Sequence, residues 1–215
     1  AGAGIVMAAI VSARRSWPTL TSSFRDRATL LRLVVAAVLL TANWGSYVWA
    51  VVNERVIETA LGYFMAPLAT MAIGVIVLRE SPTRGQRVAF GLVAVAVVVL
   101  SISSGRPPWI ALTIAATWSL YGVAKRRIHL DAIDSLAGET FMLIAPAVAV
   151  LVAISGRSDS VASSATTREW LFVAGTGVIT AIPLMLFASA AKAVPFTLLG
   201  PLNLLVPVIN LLLGW

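Results

Sequence analysis

The chain has 215 residues, 59% of them apolar and only 12% charged, with a mean hydropathy of +0.93 and a formal net charge of +7. Ordinary soluble domains carry about 25% charged residues, and this composition folded in water would expose apolar surface over most of its area, which excludes a soluble globular fold. The absence of cysteine excludes disulfides, thiolate metal sites and cysteine nucleophiles.

Taken in chain order, apolar runs fall at 1–13, 33–53, 59–78, 88–104, 109–124, 136–154, 170–191 and 196–215. All but the first are long enough to cross about 30 Å of hydrocarbon as helix, at a rise of about 1.5 Å per residue. A β-barrel would need alternating polar and apolar positions. The stretch Val93-Ala94-Val95-Ala96-Val97-Val98-Val99-Leu100 is apolar throughout, so the predicted fold is all-α: a polytopic transmembrane helix bundle.

The segments between the runs set an orientation. One alternate set holds Arg14, Arg15, Arg25, Arg27, Arg32, Arg79, Arg84, Arg87, Lys125, Arg126, Arg127 and Lys192. The other holds Arg55, Arg106, Arg157 and Arg168. Basic residues are retained on the cytoplasmic side during insertion. Loops 14–32, 79–87, 125–135 and 192–195 are therefore predicted to be cytoplasmic, and 54–58, 105–108 and 155–169 external. The positive charge is a topology signal, and no nucleic-acid partner is expected. On this topology both ends lie outside. Residue 1 is Ala, and the last run stops at Leu213-Gly214-Trp215 without a flanking charge. These features predict a longer protein, with helix missing at both termini.

An internal repeat runs through the chain. Thr59-Ala60-Leu61-Gly62 opens one run and Thr197-Leu198-Leu199-Gly200 opens the last. Pro67 precedes Gly74 by the interval at which Pro207 precedes Gly214. The two copies run in opposite directions through the membrane, which is the pattern of inverted-topology repeats; in transporters such repeats rock around a site near the midplane. The expected halves are 1–104 and 105–215.

Polar groups in hydrocarbon are costly unless protein or a water-filled cavity satisfies them, so mid-span polar residues carry information. Asn43, Trp44 and Tyr47 lie near the middle of 33–53, with Asn43 and Tyr47 on one face. They either line a cavity with an amide, an indole and a phenol, or serve helix–helix hydrogen bonding and packing. Trp118 and Tyr121 could stack on an organic substrate, but proximity to Lys125 favours an interfacial aromatic belt. Asn203 and Asn210 share a face in the last run, where Pro201 and Pro207 free backbone carbonyls for a substrate or ion; packed kinks are the alternative. Glu139 could take up a proton and couple transport to its gradient. Its place near a helix start favours an acid stabilised by the dipole, with Asp134 or Ser135 as cap. Glu58 has the same two readings. Gly45, Gly62, Gly74, Gly91, Gly122, Gly175 and Gly177 read as helix-packing positions. Asp131-Ala132-Ile133-Asp134 is too short to make a convincing metal motif, and His129 reads as solvated.

With both copies in view the chain resembles the EamA-type drug/metabolite transporters, in their RarD-like, chloramphenicol-sensitivity branch. The resemblance is carried by Asn43-Trp44, Tyr47, Trp49-Ala50, Asn53, Glu58, Leu61-Gly62-Tyr63-Phe64 and Pro67-Leu68. Pro108-Trp109-Ile110-Ala111-Leu112, Leu120-Tyr121-Gly122, Glu139-Thr140, Leu199-Gly200, Asn203 and Pro207 extend it. Three positions depart from the family pattern: Ala66 stands where the family has Asn, Arg79 where it has Gly before a glutamate, and Asn203 where it often has Gln. The resemblance implies ten helices in two inverted halves of five with both termini cytoplasmic. This chain would then lack the first helix, part of the second, and the tenth. It also implies movement, as export, of amino acids, drugs or related metabolites. No G-x-x-x-x-G-K-[ST] is present, so the driver is expected to be a proton or substrate gradient. With a single loop histidine and no H-E-x-x-H, neither an enzyme nor a cofactor is expected. A non-transporting membrane scaffold is the alternative.

Overall fold

The computed structural model describes residues 2–103, 108–155, 166–206 and 209. Among these the helices are α1 (Gly2–Ala13), α2 (Trp17–Arg25), α3 (Arg27–Val52), α4 (Val56–Ile76), α5 (Arg84–Ser103), α6 (Trp109–Arg127), α7 (Ala132–Ser155), α8 (Thr167–Ala193) and α9 (Phe196–Asn203). The described residues contain no strand. Among the described residues every predicted apolar run lies mainly on a helix, the last of them described as helix over Phe196–Asn203.

The segment 14–32 differs from a simple loop. It holds α2 and the first turns of α3, because Pro18 sits in the first turn of α2 and Asp26 starts α3. Asp26 accepts from the backbone of Ala28 and Thr29 and from the Thr29 hydroxyl. These bonds, the Thr29 hydroxyl first, hold its carboxyl below the usual carboxylate range. Two other helices begin with reciprocal capping boxes, Thr83 with Gln86 at α5 and Thr166 with Glu169 at α8. The α7 cap is Asp131, whose carboxylate accepts from Asp134 N at 2.7 Å and whose carbonyl accepts from Ser135 N. This corrects the expected cap at Asp134 or Ser135, which lie inside the first turn.

Helix ends are equally local. After α1 and α3 the chain reverses through Arg15 and Glu54 at φ 55° and 59°. Ser16 N then reaches Val11 O, and Arg55 N reaches Ala50 O. This is the bond pattern that satisfies the last carbonyls of a helix. At the end of α4 Arg79 has φ 56° and Glu80 N returns to Gly74 O at 2.9 Å.

The side-chain distribution is that of a protein solvated by lipid. Val38, Val52, Ile57, Leu92, Ile102 and Leu186 are among many exposed large apolar residues, whereas Asn43, Thr59, Thr70 and Ser119 are buried. Without an oil–water gradient between helices, small and polar residues contribute to the interfaces beside apolar ones. Arg27–Val52, Val56–Ile76, Ala132–Val150 and Gly175–Ala193 are long and apolar enough to cross a bilayer.

The chain divides into two compact units. One comprises Ala1–Ala37 and Lys125–Ser189, the other Val38–Ala124 and Ala190–Trp215. In the first, Met7, Val11, Leu20, Leu136 and Ala137 form a buried cluster, and Gly138 approaches Leu33 closely enough that a Cβ would lie 3.2 Å from its Cδ1. In the second, Leu61, Val97 and Ala111 form one cluster and Ala50, Ile110 and Ile114 another. Each unit draws on both sequence halves.

Candidate functional site

The second unit holds every described residue that the sequence marks for substrate contact. On α3, Asn43 is 7% exposed. Its amide nitrogen donates to Ile114 O at 2.9 Å and to Thr117 Oγ1 at 3.0 Å on α6. A second polar joint ties α4 to α6: Thr70 Oγ1 and Ser119 Oγ lie 3.0 Å apart, and Ser119 Oγ donates to Ala66 O. Asn43 thus makes the helix–helix bond that the packing alternative requires. Its neighbours on α3 are less committed. Trp44 is 45% exposed, and Tyr47 meets Tyr63 of α4 edge-on at 6.0 Å. Sequence reading did not single out Tyr63 as a site residue; its spacing on α4 gave no polar signal of its own.

On α6 the Trp118 and Tyr121 rings lie 6.0 Å apart. Tyr121 is fully buried. That argues against an interfacial belt, in which the phenol would reach headgroups and water.

α9 packs directly on α4. A Cβ at Gly200 would lie 2.6 Å from Pro67 O, and one at Gly74 would lie 2.9 Å from Phe196 Cβ. Only glycine permits either approach. Gly62 serves the α4–α6 contact in the same way, with Ala111 Cα 3.2 Å from its would-be Cβ. Gly45, Gly91 and Gly175, also read as packing positions, face open space. Thr59-Ala60-Leu61-Gly62 and Thr197-Leu198-Leu199-Gly200 therefore lie on two helices that touch. Asn203 Nδ2 is buried and has no hydrogen-bond partner among the described residues. A buried donor left unsatisfied in protein is suited to a bound water or a ligand oxygen. Asn210, Pro207 and Gly214 lie outside the described residues.

At the other end of α4, Glu58 Oε1 pairs with Arg55 Nε at 2.8 Å, while its Oε2 is buried without a hydrogen-bond partner. The Arg55 guanidinium lies 5.8 Å and 5.7 Å from the Trp49 and Trp109 ring centroids, within cation–π range.

The first unit holds Glu139, which has a partner that sequence reading assigned to a loop. Lys125 lies in the last turn of α6, fully buried, with its Nζ 2.7 Å from Glu139 Oε1 and 2.7 Å from Ser135 Oγ. Ser135 Oγ also lies 3.1 Å from Glu139 Oε1. Lys125 is thus removed from the 125–135 loop and its basic surface. Beside Arg126 and Arg127 its one-dimensional signal was indistinguishable from theirs. His129 is exposed and its Nδ1 lies 2.9 Å from Arg32.

Residues 1–102 match the model of the EamA-like transporter family. A "Protein RarD" from Streptomyces exfoliatus is 40% identical over 98% of this chain and 66% of its own length. A "Protein RarD" from Escherichia coli K12 is 31% identical over 97% of this chain and 70% of its own. A "Chloramphenicol-sensitive protein RarD" from Pseudomonas aeruginosa is 27% identical over 95% and 69%. The chain spans about two thirds of the length of these curated relatives. No solved structure matches it. An all-helical chain with lipid-type packing, matching one family along its first half and its relatives nearly end to end, belongs to the EamA-like transporter family, in the RarD-like branch.

Proposed function

We propose that the protein is a secondary transporter that moves small amino-acid-like or amphenicol-like molecules across the inner membrane by alternating access. The halves 1–104 and 105–215 are its inverted repeats. Loops 14–32, 79–87, 125–135 and 192–195 are cytoplasmic. The observation that carries the reading is the contact of α4 with α9, the two helices bearing the repeated motif. It lies in the compact unit that also contains Trp44, Tyr47, Trp118, Tyr121 and Asn203. The partly exposed rings of Trp44 and Tyr47 and the Asn203 amide suit an organic solute with one or two polar groups. Trp44 and Tyr47 supply stacking surface, Asn203 a donor, and Asn43 the rigid joint that holds α3 against α6. Glu58 and Glu139 are the coupling candidates, the first paired with Arg55 through one oxygen and the second held by Lys125 and Ser135. The relative described as chloramphenicol-sensitive supports amphenicols as a first class to test.

The test is uptake into proteoliposomes holding the full-length protein, with and without an imposed pH gradient, against amino acids and amphenicols. Transport by the wild type, reduced about tenfold or more by Trp44→Ala or Asn203→Ala at unchanged expression, is the expected result; each loses about 1.4 kcal/mol or more of substrate interaction. Wild-type protein that moves none of these solutes favours a non-transporting scaffold.

A further inference from the structure

Glu80 lies just beyond the end of α4, outside the residues assigned to substrate or coupling. The left-handed turn at Arg79 folds the chain back so that Glu80 N donates to Gly74 O at 2.9 Å. The backbone of Glu80 is thereby fixed to its own helix. Its side chain reaches a different one: Thr197 N, at the start of α9, donates to Glu80 Oε2 at 2.8 Å. α9 needs that acceptor. Its N-cap position is Pro195, which offers no side-chain cap, and the first backbone N–H groups of a helix have no partner within it. A carboxylate there also meets the positive end of the helix dipole. The contact below it is close-packed on Gly74, where a Cβ would lie 2.9 Å from Phe196 Cβ, 3.0 Å from Glu80 Oε2 and 3.1 Å from Thr197 N. Phe196 and Thr197 are 0% and 4% exposed.

We propose that Glu80 is a positioning residue for the transport cycle: its carboxylate latches the start of α9 to the end of α4, closing the cytoplasmic side, and opening on that side requires its release. At this end of the α4–α9 contact the tie is a charge-assisted hydrogen bond lying over the close packing at Gly74, a bond that can be exchanged for water as the ends separate. Glu80 does not touch substrate; it acts through the placement of α9, whose Asn203 lies at the far end of the same helix.

These 215 residues contain no cysteine, so in a full-length protein freed of any cysteine elsewhere Thr197→Cys gives one buried reporter thiol that keeps the backbone N–H. The full-length protein is reacted with a membrane-impermeant maleimide in inside-out vesicles, without substrate. The latch predicts slow labelling in the parent, about tenfold faster labelling with Glu80→Ala, and a rate near the parent's with Glu80→Gln, whose amide oxygen still accepts. Gly74→Ala, which crowds the same contact, should also speed labelling and carries the test if Glu80→Ala fails to insert. Labelling at the parent rate in both Glu80→Ala and Gly74→Ala overturns the proposal, as does Glu80→Gln labelling as fast as Glu80→Ala. The inference rests on the alternating-access reading, yet the two fail separately. A positive labelling result in a protein that transports nothing removes the transport reading alone. Uptake without any labelling change removes the latch alone.

Discussion

Charged residues occupy backbone conformations that glycine would adopt at lower cost. Arg15, Glu54 and Arg79 all have φ between 55° and 59°, a region that costs an L-residue about 1–2 kcal/mol. Arg79→Gly should therefore stabilise the protein by about 1 kcal/mol, after the greater freedom glycine gives the unfolded chain is deducted. Thermal unfolding in detergent should show a midpoint higher by about 2–4 °C; an unchanged or lower midpoint would show that the Arg79 side chain contributes more than its backbone costs. Asp26 gives a pH-dependent prediction. Its folded carboxyl lies below the usual range because it accepts from Thr29, so its contribution is complete above the unfolded carboxylate value and is lost as pH falls through the folded one. Asp26→Ala should lower the unfolding midpoint at neutral pH and have no effect in strong acid; equal effects at both would contradict the assignment. The residue scale is also where sequence reading stopped short. Asn43 was visible as a costly mid-span amide, but that its donor would be spent on Ile114 and Thr117 of a helix some seventy residues away depends on packing.

At the scale of elements, the last turn of α6 and the early turns of α7, both within the first unit, are joined by charges removed from water. Lys125 and Glu139 side chains are 0% and 1% exposed, with Nζ and Oε1 2.7 Å apart and Ser135 between them. Removing one partner strands the other in low dielectric, whereas replacing both with apolar residues of similar volume removes the desolvation cost as well. Lys125→Met and Glu139→Leu should each cost about 3–5 kcal/mol, and the double variant far less than their sum. Additive losses in a detergent unfolding series would mean that the two charges do not act as a pair. Helix positions followed from apolar run length. Helix starts did not, although Thr83 with Gln86 and Thr166 with Glu169 are capping boxes that spacing alone could have revealed. Helix α2 escaped because a nine-residue segment with Thr or Ser at four positions carries no spanning signal.

For the whole molecule, the account depends on lipid as solvent. Many large apolar residues are exposed on the outside, and buried Asn43, Thr70 and Ser119 add polar joints to an apolar interior. That much was legible in composition. The partition into units was not, because α3, α6 and α8 each contribute to both, and no linear pattern marks such a boundary inside a continuous helix. The repeated motif was legible as sequence, and its two copies prove to lie on helices in contact. The inverted arrangement requires α4 and α6, separated by α5, to enter from the same side, with the basic segments all on the other. Compartment-specific reporters fused after Glu54, Gln86, Arg126 and Thr167 read this directly. The account predicts Gln86 and Arg126 in the cytoplasm and Glu54 and Thr167 outside; Glu54 and Arg126 reporting the same compartment would contradict it.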